Sequence, residues 1–207
     1  EIVEEFLELE KDDGKLDNIV FMGMGEPMQN LDAIRKAITI LTHKDGRNLS
    51  GRRITLSACG IIKGIYDLAD NGPDIRLAVS LTTADEDLRT SLMPVNVGNP
   101  LPELKKAIDY FAKKSGKRVT LEAALLSGVN TTEESARNLI EFTRGIDVHV
   151  NLIPWNPVAT LPFTEPSQNE VKHFINMLEK NGVNVTLRTK RGRKIGGACG
   201  QLGKTKE

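Results

Sequence analysis

The 207-residue sequence has only two cysteines, Cys59 and Cys199, too few and too far apart for a disulfide framework or for the pair-of-pairs spacing of a zinc or iron-sulfur site. That usage points to a reducing, cytoplasmic setting. No apolar run approaches the roughly 20 residues needed to cross a bilayer. The opening residues, with Glu1, Glu4, Glu5 and Glu8, show neither the basic region nor the apolar stretch of a secretion signal, so no membrane partner is expected. Neither sign of charge is in excess. With 28 basic side chains against 28 acidic ones and 39% hydrophobic residues, the composition excludes a disordered tail or a polyelectrolyte. Fixed repeats, low-complexity tracts and long linkers are missing too, and 1–207 reads as one continuous domain. A first residue of Glu instead of Met predicts a piece of something longer.

From residue 18 onward, short β-branched runs alternate with amphipathic stretches, the pattern of strand-helix units around a parallel sheet. Strands are expected over 18–23, 53–57, 75–81, 118–125, 148–153 and 183–188. Most lack clean polar alternation, which predicts that both sheet faces are covered. Leu31, Ile34, Ile38 and Leu41 recur at helical spacing behind Asn30, an N-cap residue, and Leu104, Ile108 and Phe111 mark another helix. Capping boxes are expected at Thr131 with Glu134 and at Ser167 with Glu170, their helices ending near Gly145 and Gly182.

In such architectures the reacting groups gather at the carboxyl ends of the strands. The first strand runs into Gly23-Met24-Gly25-Glu26-Pro27. A dinucleotide fingerprint needs a third glycine where Met28 stands, and the Gly-Lys-Ser/Thr of a phosphate loop is absent. Glu26 suits a ligand bearing an amine; the plainer alternative is a tight turn with a solvated carboxylate. Ser57-Ala58-Cys59-Gly60 and Ser80-Leu81-Thr82 put small hydroxyls at two further strand ends, either for a polar ligand or as helix caps. Asn151-Leu152-Ile153-Pro154-Trp155-Asn156-Pro157 adds an amide and the single Trp, expected in the core. Near the C-terminus, Arg188, Lys190, Arg191, Arg193 and Lys194 form a basic stretch that either meets a polyanion or is a solvated face. It leads into Gly196-Gly197-Ala198-Cys199-Gly200, where neighbouring cations favour a reactive thiolate at Cys199.

Read in order, Phe21 to Pro27, Ser80-Leu81 with Leu92-Met93-Pro94, Gly128-Val129-Asn130, Asn151 to Pro157 and Ala198-Cys199-Gly200-Gln201-Leu202 closely resemble the RlmN/Cfr family of radical S-adenosylmethionine RNA methyltransferases. The resemblance covers about residues 18 to 203. It implies a partial α/β barrel of the radical SAM type, a four-iron four-sulfur cluster, bound S-adenosylmethionine, 23S ribosomal RNA and also transfer RNA as substrates, and an electron donor such as flavodoxin or ferredoxin. Gly25, Glu26, Ser57, Ser80, Leu81, Thr82 and Asn156 match the family's cofactor-contacting positions. Cys199 matches the cysteine that carries a methyl group on its way to adenine C2. Three departures stand out. The family's Cys-x3-Cys-x2-Cys cluster motif is absent, so this chain is expected to hold no metal ligands of its own, to lack the first barrel strand and to be inactive in isolation. Thr82 stands where the family has His, and the residues before Ala198 are basic where the family's are acidic. Cys59 is expected to be structural. The alternatives are methylation at adenine C8, as in Cfr, or an RNA-binding protein without chemistry.

Overall fold

Six β-branched runs become strands β1 (Ile19–Phe21), β2 (Ile54–Ala58), β3 (Arg76–Ser80), β4 (Val119–Leu125), β5 (Val148–Pro154) and β6 (Val185–Leu187) in the computed structural model, which describes residues 1–23, 25–157 and 161–189. All pairings are parallel and the spatial order is the sequence order, β1 to β6. A sheet that adds each strand beside the last through a helical crossover curls one way, which is the geometry of an open α/β barrel.

Helix α1 (Ile2–Asp13) precedes β1, and helices α2 (Leu31–Thr42), α3 (Ile62–Asn71), α4 (Glu86–Leu92), α5 (Leu101–Ser115), α6 (Glu133–Thr143) and α7 (Gln168–Lys180) make the crossovers. Their apolar stripes, such as Ile34, Ile38 and Leu41 of α2 and Leu104, Ile108 and Phe111 of α5, bury against Ile54, Leu56, Leu77, Val79, Leu121 and Val150. The opposite side differs from the sequence expectation of a doubly covered sheet. Thr55, Ser57, Ser80, Thr120, Glu122, His149, Asn151 and Thr186 alternate with those core residues, so one face is apolar and the other polar. The strands look uniformly apolar in sequence because several inner positions, among them Ala78 and Ala124, are alanine.

Helix starts follow the local chemistry with one shift. Ser167 and Glu170 form the expected reciprocal capping box. At α6 the cap is Thr132, whose hydroxyl accepts from Ser135 N at 3.1 Å, instead of Thr131. Thr131 is drawn elsewhere: its hydroxyl accepts from Gly128 N and meets the Glu170 carboxylate. Asn30 sits at the start of α2 but makes no side-chain capping bond.

Arg89, on α4, is fully buried and, among the described residues, has no carboxylate hydrogen-bonded to it. Its guanidinium instead donates to three main-chain carbonyls, Leu81 at 2.7 Å, Cys59 at 2.9 Å and Ser80 at 3.3 Å. One side chain therefore ties the carboxyl ends of β2 and β3 together and satisfies oxygens that have left the sheet ladder. Replacing it strands those carbonyls. Arg89→Met is expected to lower the free energy of unfolding by about 3 kcal/mol in urea titration; a loss below about 1 kcal/mol would show that the strand ends are held by other means.

Candidate functional site

Gly25, with φ +93°, reverses the chain after β1 into a backbone region that side chains rarely enter. Glu26 follows in extended conformation and opens a single 3-10 turn, Pro27–Gln29. Its carboxylate grips both sides of the turn: Oε1 accepts from Met28 N at 3.0 Å and Oε2 from Cys59 N at 2.7 Å. Glu26 is thus a cross-strand staple between the ends of β1 and β2, and each oxygen keeps a further lone pair for a ligand.

Beside this staple lies a cavity of about 560 Å³, lined by Phe21, Gly25, Glu26, Ser57, Ser80 and Met93 among others. Four of the sequence-predicted residues therefore meet at one place. The volume falls in the range of small-molecule sites, and among the described lining residues there is no Lys, Arg or His. At Gly25 an added Cβ would meet nothing within 4 Å, which leaves the backbone open to a ligand. Ser57 is buried and donates its hydroxyl proton to Glu122 Oε2 at 3.1 Å.

The remaining predicted positions sit apart. Leu81 is fully buried and, with Thr82, borders a separate gap of about 10 Å³ facing Asn130 and Phe174. Thr82 has φ +63°, a costly conformation for a β-branched residue. It is held by its own N–H donating to Glu122 O at 3.0 Å and by Asn130 Nδ2 donating to Thr82 O at 2.9 Å. Asn156 is buried beyond the end of β5, and Trp155 packs edge-on against Phe163 at 5.9 Å. Arg188 is exposed after β6, its N–H donating to Leu152 O. Lys190, Arg191, Arg193, Lys194 and Cys199 lie outside the described residues.

Cys59 also borders the cavity, half-buried against Glu26. Burial first, and then the Glu26 carboxylate, push its thiol up to about 12. At neutral pH that sulfur is a protonated thiol, unsuited to nucleophilic attack. Among the described residues no group of three or more His, Cys, Asp or Glu side chains is arranged to hold a metal. Those residues do not fit an iron-sulfur cluster.

Two contributors were not singled out in the sequence. Glu122 had a signal, an acid inside an apolar strand at an inner-face position. Arg89 had none, because an arginine on a short polar helix reads as solvent-facing.

Comparison with known proteins agrees with this architecture. The model of the radical SAM superfamily matches residues 1–142. A probable dual-specificity RNA methyltransferase RlmN of Treponema denticola is 62% identical over 205 residues, 99% of this chain and 59% of that protein. The RlmN of Dictyoglomus turgidum is 42% identical over 94% of this chain and 56% of its own length. The chain thus spans a little under three fifths of these curated relatives. A crystal structure of a radical SAM methyltransferase from Sphaerobacter thermophilus superposes with TM-score 0.91 at 40% identity, over 96% of this chain and 60% of that one. Streptococcus suis SuiB bound to S-adenosylmethionine, at TM-score 0.63 and 18% identity over 91% of this chain and 43% of that one, shares the fold. The open parallel barrel with its Gly-Glu-Pro turn and the family match agree, and the chain belongs to the radical SAM superfamily.

Proposed function

We propose that this chain is the C-terminal portion of a radical SAM core that binds S-adenosylmethionine in the cavity at the ends of β1 to β3. The whole protein is an RNA methyltransferase that places a methyl-derived carbon on adenine C2 of 23S ribosomal RNA, with transfer RNA as a second substrate. The observation that carries the reading is the Gly25-Glu26 turn: a carboxylate fixed by two backbone N–H groups at the rim of a cavity whose described lining holds no cation. An α-amino acid ammonium finds there a preorganised, charge-assisted acceptor. Kinship with proteins named RNA methyltransferases supplies the reaction class.

The chain's own residues divide the work. Glu26 holds the amine, Gly25 admits the ligand to the backbone, and Ser57 and Ser80 receive its hydroxyls. When bound, S-adenosylmethionine supplies the transferable carbon and the radical chemistry. Cys199, in the tail 190–207 among cationic neighbours, is the nucleophile that takes up the methyl group before RNA. Arg188, Lys190, Arg191, Arg193 and Lys194 hold RNA phosphates. Electrons come from a flavodoxin- or ferredoxin-type donor, in a cytoplasmic setting; among the described residues no helix is long and apolar enough to cross a membrane.

Two measurements test this reading. Glu26→Gln keeps the shape but removes the charge, and is expected to weaken S-adenosylmethionine binding about tenfold or more by calorimetry; unchanged affinity would remove the turn from the site. In the folded protein at pH 8, Cys199 is expected to react with iodoacetamide while Cys59 stays unlabelled until denaturant is added. Rapid labelling of Cys59, or an RNA product still methylated by full-length protein carrying Cys199→Ser, would contradict the division of roles between the two thiols.

A further inference from the structure

Glu122 stands mid-strand in β4, on the polar inner face, and is only 8% exposed. Among the described residues its carboxylate makes one side-chain hydrogen bond, the 3.1 Å contact from Ser57 Oγ to Oε2, and it joins no ion pair. Its register partners are Ser80 on β3 and Asn151 on β5, neither of which brings a positive charge. The nearby buried cation, Arg89, lies at the strand ends, donates to the carbonyls of Cys59, Ser80 and Leu81, and feels the charge of Glu86. A carboxylate this deep is costly to keep unless a positive charge comes to meet it.

A serine hydroxyl has one proton. Ser57 has committed its proton to Glu122, so the face it turns toward the cavity consists of lone pairs. On the neighbouring wall Glu26 is also an acceptor, and no described lining residue is cationic. The cavity thus presents the Ser57 lone pairs and the Glu26 carboxylate beside the Asn30 amide and the Cys59 thiol, with a second carboxylate, Glu122, behind its wall.

From this geometry we infer that Glu122 is a positioning residue that makes the cavity charge-selective: acting through Ser57, it favours the sulfonium cation S-adenosylmethionine over the neutral thioether S-adenosylhomocysteine. The inference rests on the S-adenosylmethionine reading and extends it. Glu122 holds Ser57 as an acceptor, and its charge is felt strongly because both side chains are buried. Loss of the methyl group removes the ligand's charge at sulfur and with it part of the attraction, so the spent ligand leaves and the site is cleared for the next one.

The test is the ratio of two affinities measured by calorimetry on the chain, S-adenosylmethionine against S-adenosylhomocysteine. Wild-type protein is expected to prefer the sulfonium by about tenfold or more. Glu122→Gln, nearly isosteric and uncharged, is expected to bring the two within about twofold by weakening the sulfonium and leaving the thioether unchanged. Glu122→Asp keeps the charge and retains a preference, which decides the matter should the Gln variant not fold. Ser57→Ala, which removes the hydroxyl through which Glu122 acts, is expected to narrow the preference as well, and a Ser57→Ala protein with the wild-type ratio overturns the relay through Ser57. A Glu122→Gln protein with the wild-type ratio, a Glu122→Asp protein without a preference, or wild-type protein without one, overturns the role of Glu122. Wild-type protein that binds neither ligand overturns the S-adenosylmethionine reading itself.

Discussion

The site depends on a buried guanidinium whose partners among the described residues include no carboxylate. Arg89 reaches from α4 into the gap where β2 and β3 end and satisfies the carbonyls of Cys59, Ser80 and Leu81. In a parallel sheet the last residues of each strand lose their ladder partners and would otherwise need water. A planar donor with several fixed N–H groups keeps that region dry and in one arrangement. On the cavity side of the same strand ends, the Glu26 carboxylate binds Cys59 N. The main chain of Cys59 is therefore held on both sides, its N–H by Glu26 and its C=O by Arg89, which fixes this part of the cavity wall.

Charge on this wall is sorted by side. Arg89 lies behind the strand ends, whereas Glu26 and Glu122 lie at or beneath the cavity. One carboxylate on the rim and another behind Ser57 border a space whose described lining holds no cation, which suits a ligand that carries positive charge. The thiol of Cys59, raised by burial and by Glu26, stays protonated in this setting. Cys199 differs in sequence context, standing between small residues close behind a run of cations.

How far the sequence reveals this depends on the range of each interaction. All six strand regions were legible because each is a short, locally β-branched run between turn residues, and the Gly25-Glu26-Pro27 turn was legible because glycine and proline restrict the backbone wherever they occur. The polar inner face was masked by small residues, Ala78 and Ala124, that interrupt the alternation. Thr131 and Thr132 are equivalent caps on paper; the choice falls to Thr132 only because Glu170, on a distant helix, engages Thr131. Leu81, Thr82 and Asn156 are near Ser80 in sequence or in family pattern, yet they face a second, smaller gap or the interior, which only the packed sheet decides. Arg89 was invisible for the same reason, since its partners are backbone oxygens of three other residues.

The most direct test of the account is a crystal structure of this chain grown with S-adenosylmethionine. The account predicts ligand density in the cavity at the ends of β1 to β3, with the amino group on the Glu26 carboxylate, the chain of the ligand over Gly25, and a ligand hydroxyl or amine donating to Ser57 Oγ. Ligand ordered at any other surface, or seated in this cavity with its ammonium remote from Glu26, would contradict it.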